Sequence, residues 1–181
     1  MLHWILPTPK NNHKANFLRP LGLAILFSLY LGNQLFLRYL GTQYPQILGF
    51  SSEITVQKVL ALTNKERLKF GLKELTLNPK LTQSATQKAQ DMFSKNYWAH
   101  NSPDGLTPWY FFQKANYSYR FAGENLAKDF GTSREVVDAW MNSPSHRANI
   151  LQEKYQDIGF AVVNGTLQGE QTTLVVQMFG T

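Results

Sequence analysis

From Leu21 the chain reads LGLAILFSLYLGNQLFLRYL, and between Leu21 and Gly32 it shows almost no polar face. About twenty helical residues at 1.5 Å each match the roughly 30 Å hydrocarbon thickness of a bilayer. Asn33, Gln34 and Arg38 break the second half, although an arginine near a helix end can reach the interface. The pattern predicts a transmembrane signal-anchor helix over 21–40. Beyond it the pattern turns amphipathic. Ser52 is a candidate cap for a helix carrying Val56, Val59, Leu60, Thr63 and Arg67 to Phe70, with Gly71 as its stop. Asn78-Pro79 opens a second helix, in which Leu81, Ala85, Ala89 and Met92 recur at helical spacing. Thr132 and Glu135 have the spacing of a capping box, and Val136, Val137, Ala139 and Trp140 continue an apolar face until Pro144 interrupts it beside His146.

After Asp157 the period changes. IGFAVV and TTLVVQMFG flank Asn164-Gly165 and read as two antiparallel strands joined at that turn signal. A third strand is expected in the weakly patterned middle. Helices first and strands last predict an α+β fold rather than alternating βαβ units. The organisation expected is a short cytoplasmic segment over 1–20, the membrane helix over 21–40, a juxtamembrane linker over 41–51 and one folded domain over 52–181.

Charge changes this picture at two points. The net charge of +6 invites a nucleic-acid reading, but 51–181 carries fourteen basic and twelve acidic side chains without a basic block, which argues against nucleic acid as a partner. Lys10, Lys14 and Arg19 precede the apolar run and only Arg38 follows closely, so the positive-inside bias places the N-terminus in the cytoplasm and the folded domain outside. A cleaved signal peptide is the rival reading, which makes the domain secreted, although no clear small-residue cleavage motif follows. The absence of cysteine excludes disulfides and thiolate chemistry, so any metal needs His, Asp or Glu.

Several separate blocks then occur in order: LTNKERLKFGLKELTLNPKLTQSATQKAQDM, WAHNSPDGLTPW, AGENLA, VVDAWMNSPSHRANIL and IGFAVV. Over nearly all of 54–180 they resemble the CAP superfamily, whose SCP-like bacterial members are the nearest likeness; cysteine-rich secretory proteins, venom antigens and plant pathogenesis-related proteins share it. The resemblance implies a three-layer α-β-α sandwich. It also implies a cleft in which His100, Glu124 and His146 face one another, able in some members to hold a divalent metal such as Zn²⁺, which suits imidazole and carboxylate ligands. No metal is required by that resemblance. Asn125, Ser143 and Arg147 stand beside these residues in the same blocks as supporting candidates. Eukaryotic members usually carry a second glutamate three residues after the helix tryptophan, where this chain has Ser143, so the acidic set is incomplete.

Read from the residues alone, Glu124 after Ala122-Gly123 suits either a structural hydrogen bond or direct ligation, and spacing does not separate the two. Ser143 and Ser145 precede His146, yet no G-x-S-x-G elbow accompanies them, and no H-E-x-x-H occurs. Tyr97, Trp98, Trp109, Tyr110, Phe111, Phe112, Tyr117, Tyr119 and Phe121 supply core and, for some, a groove wall. The favoured function is a cell-surface binding module for a lipid, glycan or cell-wall, or protein ligand, anchored in the membrane by its N-terminal helix. The alternative is a metal-dependent hydrolase acting on peptide or cell-wall substrate; a purely structural tethered domain is the third.

Overall fold

The computed structural model describes residues 20–43 and 53–181, with five further positions before Pro20. It divides into Met1–Gly49 and Phe50–Thr181. In the first unit, helix α1 (Pro20–Gln43) runs past the expected end of the membrane segment. Over Pro20–Tyr39 it is long and apolar enough to cross a bilayer, and its leucines and phenylalanines are exposed rather than packed in a core. A membrane anchor and a signal sequence both fit that helix. Most of the expected cytoplasmic segment and of the 41–51 linker, together with the Ser52 cap, lie outside the described residues.

In the second unit, α2 (Val56–Lys69) is capped by Thr55, whose hydroxyl accepts from Lys58 N at 3.2 Å, so the helix begins later than a Ser52 cap implies. At its other end Gly71, at φ +70°, lets the N–H groups of Gly71 and Leu72 bond Leu68 O and Arg67 O. The short strand β1 (Thr76–Leu77) leads into α3 (Pro79–Ser94), which Asn78 caps with Pro at the first turn, as expected. A helix the pattern did not suggest, α4 (Pro108–Lys114), precedes β2 (Ala122–Lys128), the expected middle strand. Helix α5 (Ser133–Asn142) has the full capping box, with Glu135 N donating to Thr132 Oγ1 and Thr132 N to Glu135 Oε2. Helix α5 ends before Pro144, as expected, with Ser143 extended at φ −98° and ψ 120°, and Pro144 then opens a further helix, α6 (Pro144–Ile150), which carries His146. Strands β3 (Asp157–Leu167) and β4 (Glu170–Gly180) complete the domain.

The hairpin corrects the turn expected at Asn164-Gly165. Asn164 pairs with Thr173 and Gly165 with Thr172 inside the ladder, and the chain reverses at Gln168-Gly169, both with positive φ. Gly165 is small for another reason: a Cβ there would lie 2.8 Å from the Phe93 ring. The sheet order is β1-β3-β4-β2, with β1 parallel to β3 and the other pairs antiparallel, so β2 is an edge strand.

Alternation along the strands builds the two cores of an α-β-α sandwich. Leu174, Val176 and Met178 of β4 meet Leu81, Ala85, Ala89 and Met92 of α3 and Phe112 of α4. Val175 and Phe179 face the opposite way, toward Val59 of α2, Val136 and Trp140 of α5 and Ile150 of α6. Gly159 marks the closest approach of helix to sheet, since a Cβ there would lie 2.2 Å from the Leu81 backbone.

Candidate functional site

The alternation that sorts the two cores also sends neighbouring residues of β2 to opposite faces. Glu124 shares the parity of Leu126, which packs in the core with α3, whereas Asn125 shares that of Ala127, in the core with α5 and α6. Glu124 Oε1 lies 2.6 Å from Nδ1 of His100, which sits in the loop after α3; the carboxylate side chain is 2% exposed and the imidazole 55%. This contact puts the proton of a neutral His100 ring on Nδ1 and leaves Nε2 as its acceptor.

Beneath the pair lies Lys88 of α3, fully buried. Its ammonium donates to Tyr97 Oη at 3.0 Å, Ala99 O at 2.9 Å and His100 O at 2.6 Å, so one cation pins the backbone of the histidine loop. Tyr97 Oη in turn donates to Asp91 Oδ2 at 2.7 Å. Burial pushes the Glu124 carboxyl above its ordinary range, against the opposing pull of the His100 hydrogen bond and the Lys88 charge. Burial lowers Lys88, while Glu124 and Asp91 oppose that shift. Glu124 Oε2 is buried and has no hydrogen-bond partner among the described residues.

His146 approaches from α6. Its Nδ1 and Ser143 Oγ are 2.7 Å apart, a pairing set by their i, i+3 spacing across the start of the helix. Burial lowers His146 first, and the charge of His100 lowers it further, so the two imidazoles sense one another. Asn125 joins the helix to the sheet: its Nδ2 donates to His146 O at 3.1 Å and Gln177 Oε1 at 2.9 Å, and its Oδ1 accepts from Asn149 Nδ2 at 2.9 Å. Gln177 continues the chain to Thr63 Oγ1 at 3.1 Å, reaching α2. Arg147 turns elsewhere, its guanidinium stacked 5.2 Å from the Phe70 ring centroid.

His100, Asn101, Trp109, Gly123, Glu124 and Asn149 line a cavity of about 540 Å³ at the edge of β2. The arrangement supplies an oriented imidazole, a buried carboxylate and an aromatic wall. It does not supply a three-ligand metal centre: among the described residues no three His, Asp or Glu side chains come together to hold an ion, and His100 Nδ1 and Glu124 Oε1 are spent on each other. Sequence reasoning missed Lys88 and Asn149. Lys88 was detectable, because it stands on the α3 stripe with Leu81, Ala85 and Met92, and a charge on a buried face needs partners.

The family model for CAP, the cysteine-rich secretory protein family, matches residues 60–179. The chain belongs to this family. The CAP domain is 46% identical over 116 residues to Bacillus subtilis (strain 168) YkwD, covering 64% of this chain and 45% of that protein. It is 29% identical over 106 residues to the B. subtilis membrane protein YlbC, covering 59% of this chain and 31% of that protein. The chain thus spans less than half the length of the curated relatives it matches. Among solved structures, an extracellular SCP-domain protein of Bacillus anthracis str. Ames aligns with TM-score 0.60 and 27% identity, over 68% of this chain and 39% of that one. An outer surface protein of Borrelia burgdorferi aligns with TM-score 0.63 and 24% identity, over 74% of this chain and 98% of that one, a likeness of fold alone. The three-layer α+β architecture expected from the resemblance is therefore that of a CAP domain.

Proposed function

We propose that this CAP domain is a binding module held on the outer side of the cytoplasmic membrane by α1, and that it takes its ligand in the cleft beside β2. The observation that carries the reading is the state of the His100–Glu124 pair. Each group orients the other at the wall of an accessible cavity, and no third donor joins them among the described residues. His100 and Glu124 are assigned to the wall of this cleft, and His146, which does not line the cavity, to its surroundings through its interaction with the His100 charge. Asn125 and Ser143 support it by holding α6 and the His146 ring, while the outward course of Arg147 removes it from the same cluster.

Exposed leucines and phenylalanines along α1 support anchoring, and the basic residues ahead of it support a cytoplasmic N-terminus. YlbC is named a membrane protein and the B. anthracis neighbour an extracellular one, which agrees with this placement.

Elemental analysis of the purified full chain beside the His100→Ala/His146→Ala double variant tests the reading. Metal well below stoichiometry in both, with peptide- or glycan-induced changes at the Glu124 amide and the Trp109 indole lost in the variant, is the expected result. Near-stoichiometric metal that the variant loses, together with metal-dependent turnover of peptide or cell-wall substrate, overturns it in favour of a hydrolase.

A further inference from the structure

Strand β2 ends the sheet, and the register settles which of its backbone groups are in use. Thr181 N donates to Phe121 O at 3.1 Å, and on the other side of β4 Gln156 N donates to Gly180 O at 3.1 Å. In an antiparallel ladder this alternation continues, so the odd-numbered residues of β2 bond β4. Ala122, Glu124, Leu126 and Lys128 therefore turn their N–H and C=O groups toward the free edge.

Much of that edge is covered. Trp140 Nε1 donates to Leu126 O at 3.0 Å, and Asn149 Nδ2 donates to Glu124 O at 3.0 Å. Such side-chain caps are a common way of protecting an exposed strand. The cover stops short of Ala122 O and Glu124 N–H, which no strand or side chain bonds among the described residues. Both residues line the cleft that also holds His100 and Trp109.

An open acceptor and an open donor, one residue apart on the same strand edge, are complementary to a single residue of an extended polypeptide. Its N–H reaches the acceptor and its C=O the donor, as in a parallel ladder. We propose that the cleft binds an extended peptide by adding it to the edge of β2, with the peptide residue opposite Gly123 bonded to both Ala122 O and Glu124 N–H. Asn149 blocks the Glu124 carbonyl, which removes half of the antiparallel exchange opposite Glu124 and leaves the parallel pattern across Gly123 intact. Trp109, packed edge-on against Phe112 at 5.6 Å and tilted against Tyr119 at 6.0 Å, gives a neighbouring peptide side chain a fixed apolar wall. A peptide is favoured over a glycan or lipid because the open groups repeat the spacing of a strand.

The inference rests on the cleft being the binding site. Its test is a titration of the ¹⁵N-labelled full chain in detergent micelles with a degenerate library of N-acetylated, C-amidated hexapeptides, following the Glu124 amide resonance. A saturable downfield shift is expected, with affinity about tenfold weaker or lost when every peptide nitrogen is methylated. Ala122→Pro is the matching protein variant. The Ala122 N–H takes no part in the β2–β4 ladder, so proline removes no sheet bond while its ring occupies the edge. Peptide binding should vanish with the rest of the spectrum retained; if that variant fails to fold, the methylated library still decides. A Glu124 amide that never shifts, or equal binding of both libraries, overturns the inference. An N-acetylglucosamine tetramer that shifts His100 while peptides do not also overturns it, yet leaves the cleft a binding site. Silence toward peptide, sugar and phosphatidylglycerol vesicles alike removes both.

Discussion

Lys88 brings a charge into a place without water, and three oxygens plus the nearby Glu124 carboxylate offset the desolvation. Replacing it by methionine keeps the volume and strands all of these groups. Lys88→Met should therefore cost about 3 kcal/mol in urea unfolding, and the His100 backbone resonances should broaden as the loop loses its pin. His146 predicts a pH effect of definite sign. Its folded value lies below 6.5, so in acid the unfolded chain takes up a proton that the folded chain resists. Stability should fall as the pH drops through 6.5 toward that lowered value, and His146→Gln should flatten this part of the profile. The resemblance carried His100, Glu124 and His146 at sequence level, but not their division of labour. Glu124 being a partner of His100 follows from strand parity, and parity requires knowing that AGENLA is a strand. Its three small residues and its charge hid that from propensity alone.

Capping and turn chemistry act at the level of whole elements. Thr132 satisfies the start of α5, so Thr132→Ala should cost about 1 kcal/mol by chemical denaturation. Two glycines of the hairpin should respond for different reasons. Gly169 has φ +87° and open space around its Cβ, so Gly169→Ala carries only the backbone cost, roughly 1–2 kcal/mol. Gly165→Ala must displace Phe93, and a compensating Phe93→Leu should recover stability there but not at position 169; thermal unfolding of the single and double variants measures both effects. The same pair shows where sequence reading ends. Asn-Gly is a strong local turn signal, but the ladder overrode it, because Gly165 is needed for packing against α3 and the left-handed positions fall at Gln168-Gly169. Helix α3 was legible because cap, first-turn proline and apolar period agree, and α5 because capping box and apolar period agree, whereas α4, seven residues long and crowded with aromatics, is too short to show a period.

The chain as a whole contains no cysteine, so single introduced thiols report topology without background. With the CAP domain outside, Glu153→Cys should react with a membrane-impermeant maleimide on intact cells, whereas Asn12→Cys should react only after permeabilisation. The opposite labelling pattern would reverse the orientation; loss of the Asn12→Cys signal from the mature chain would indicate cleavage of the N-terminal segment. The relocated hairpin turn also bears on chemical ageing. An Asn-Gly pair in a mobile loop deamidates readily, because the asparagine side chain can close on the next backbone nitrogen to form a succinimide. Here Asn164 and Gly165 are held extended in β3, and Thr173 Oγ1 donates to Asn164 Oδ1 at 2.7 Å, so ring closure must wait for the strand to open. Each deamidated molecule thus records a past opening of the hairpin, and the slow accumulation of isoaspartate at position 164 becomes a clock for the lifetime of the folded domain.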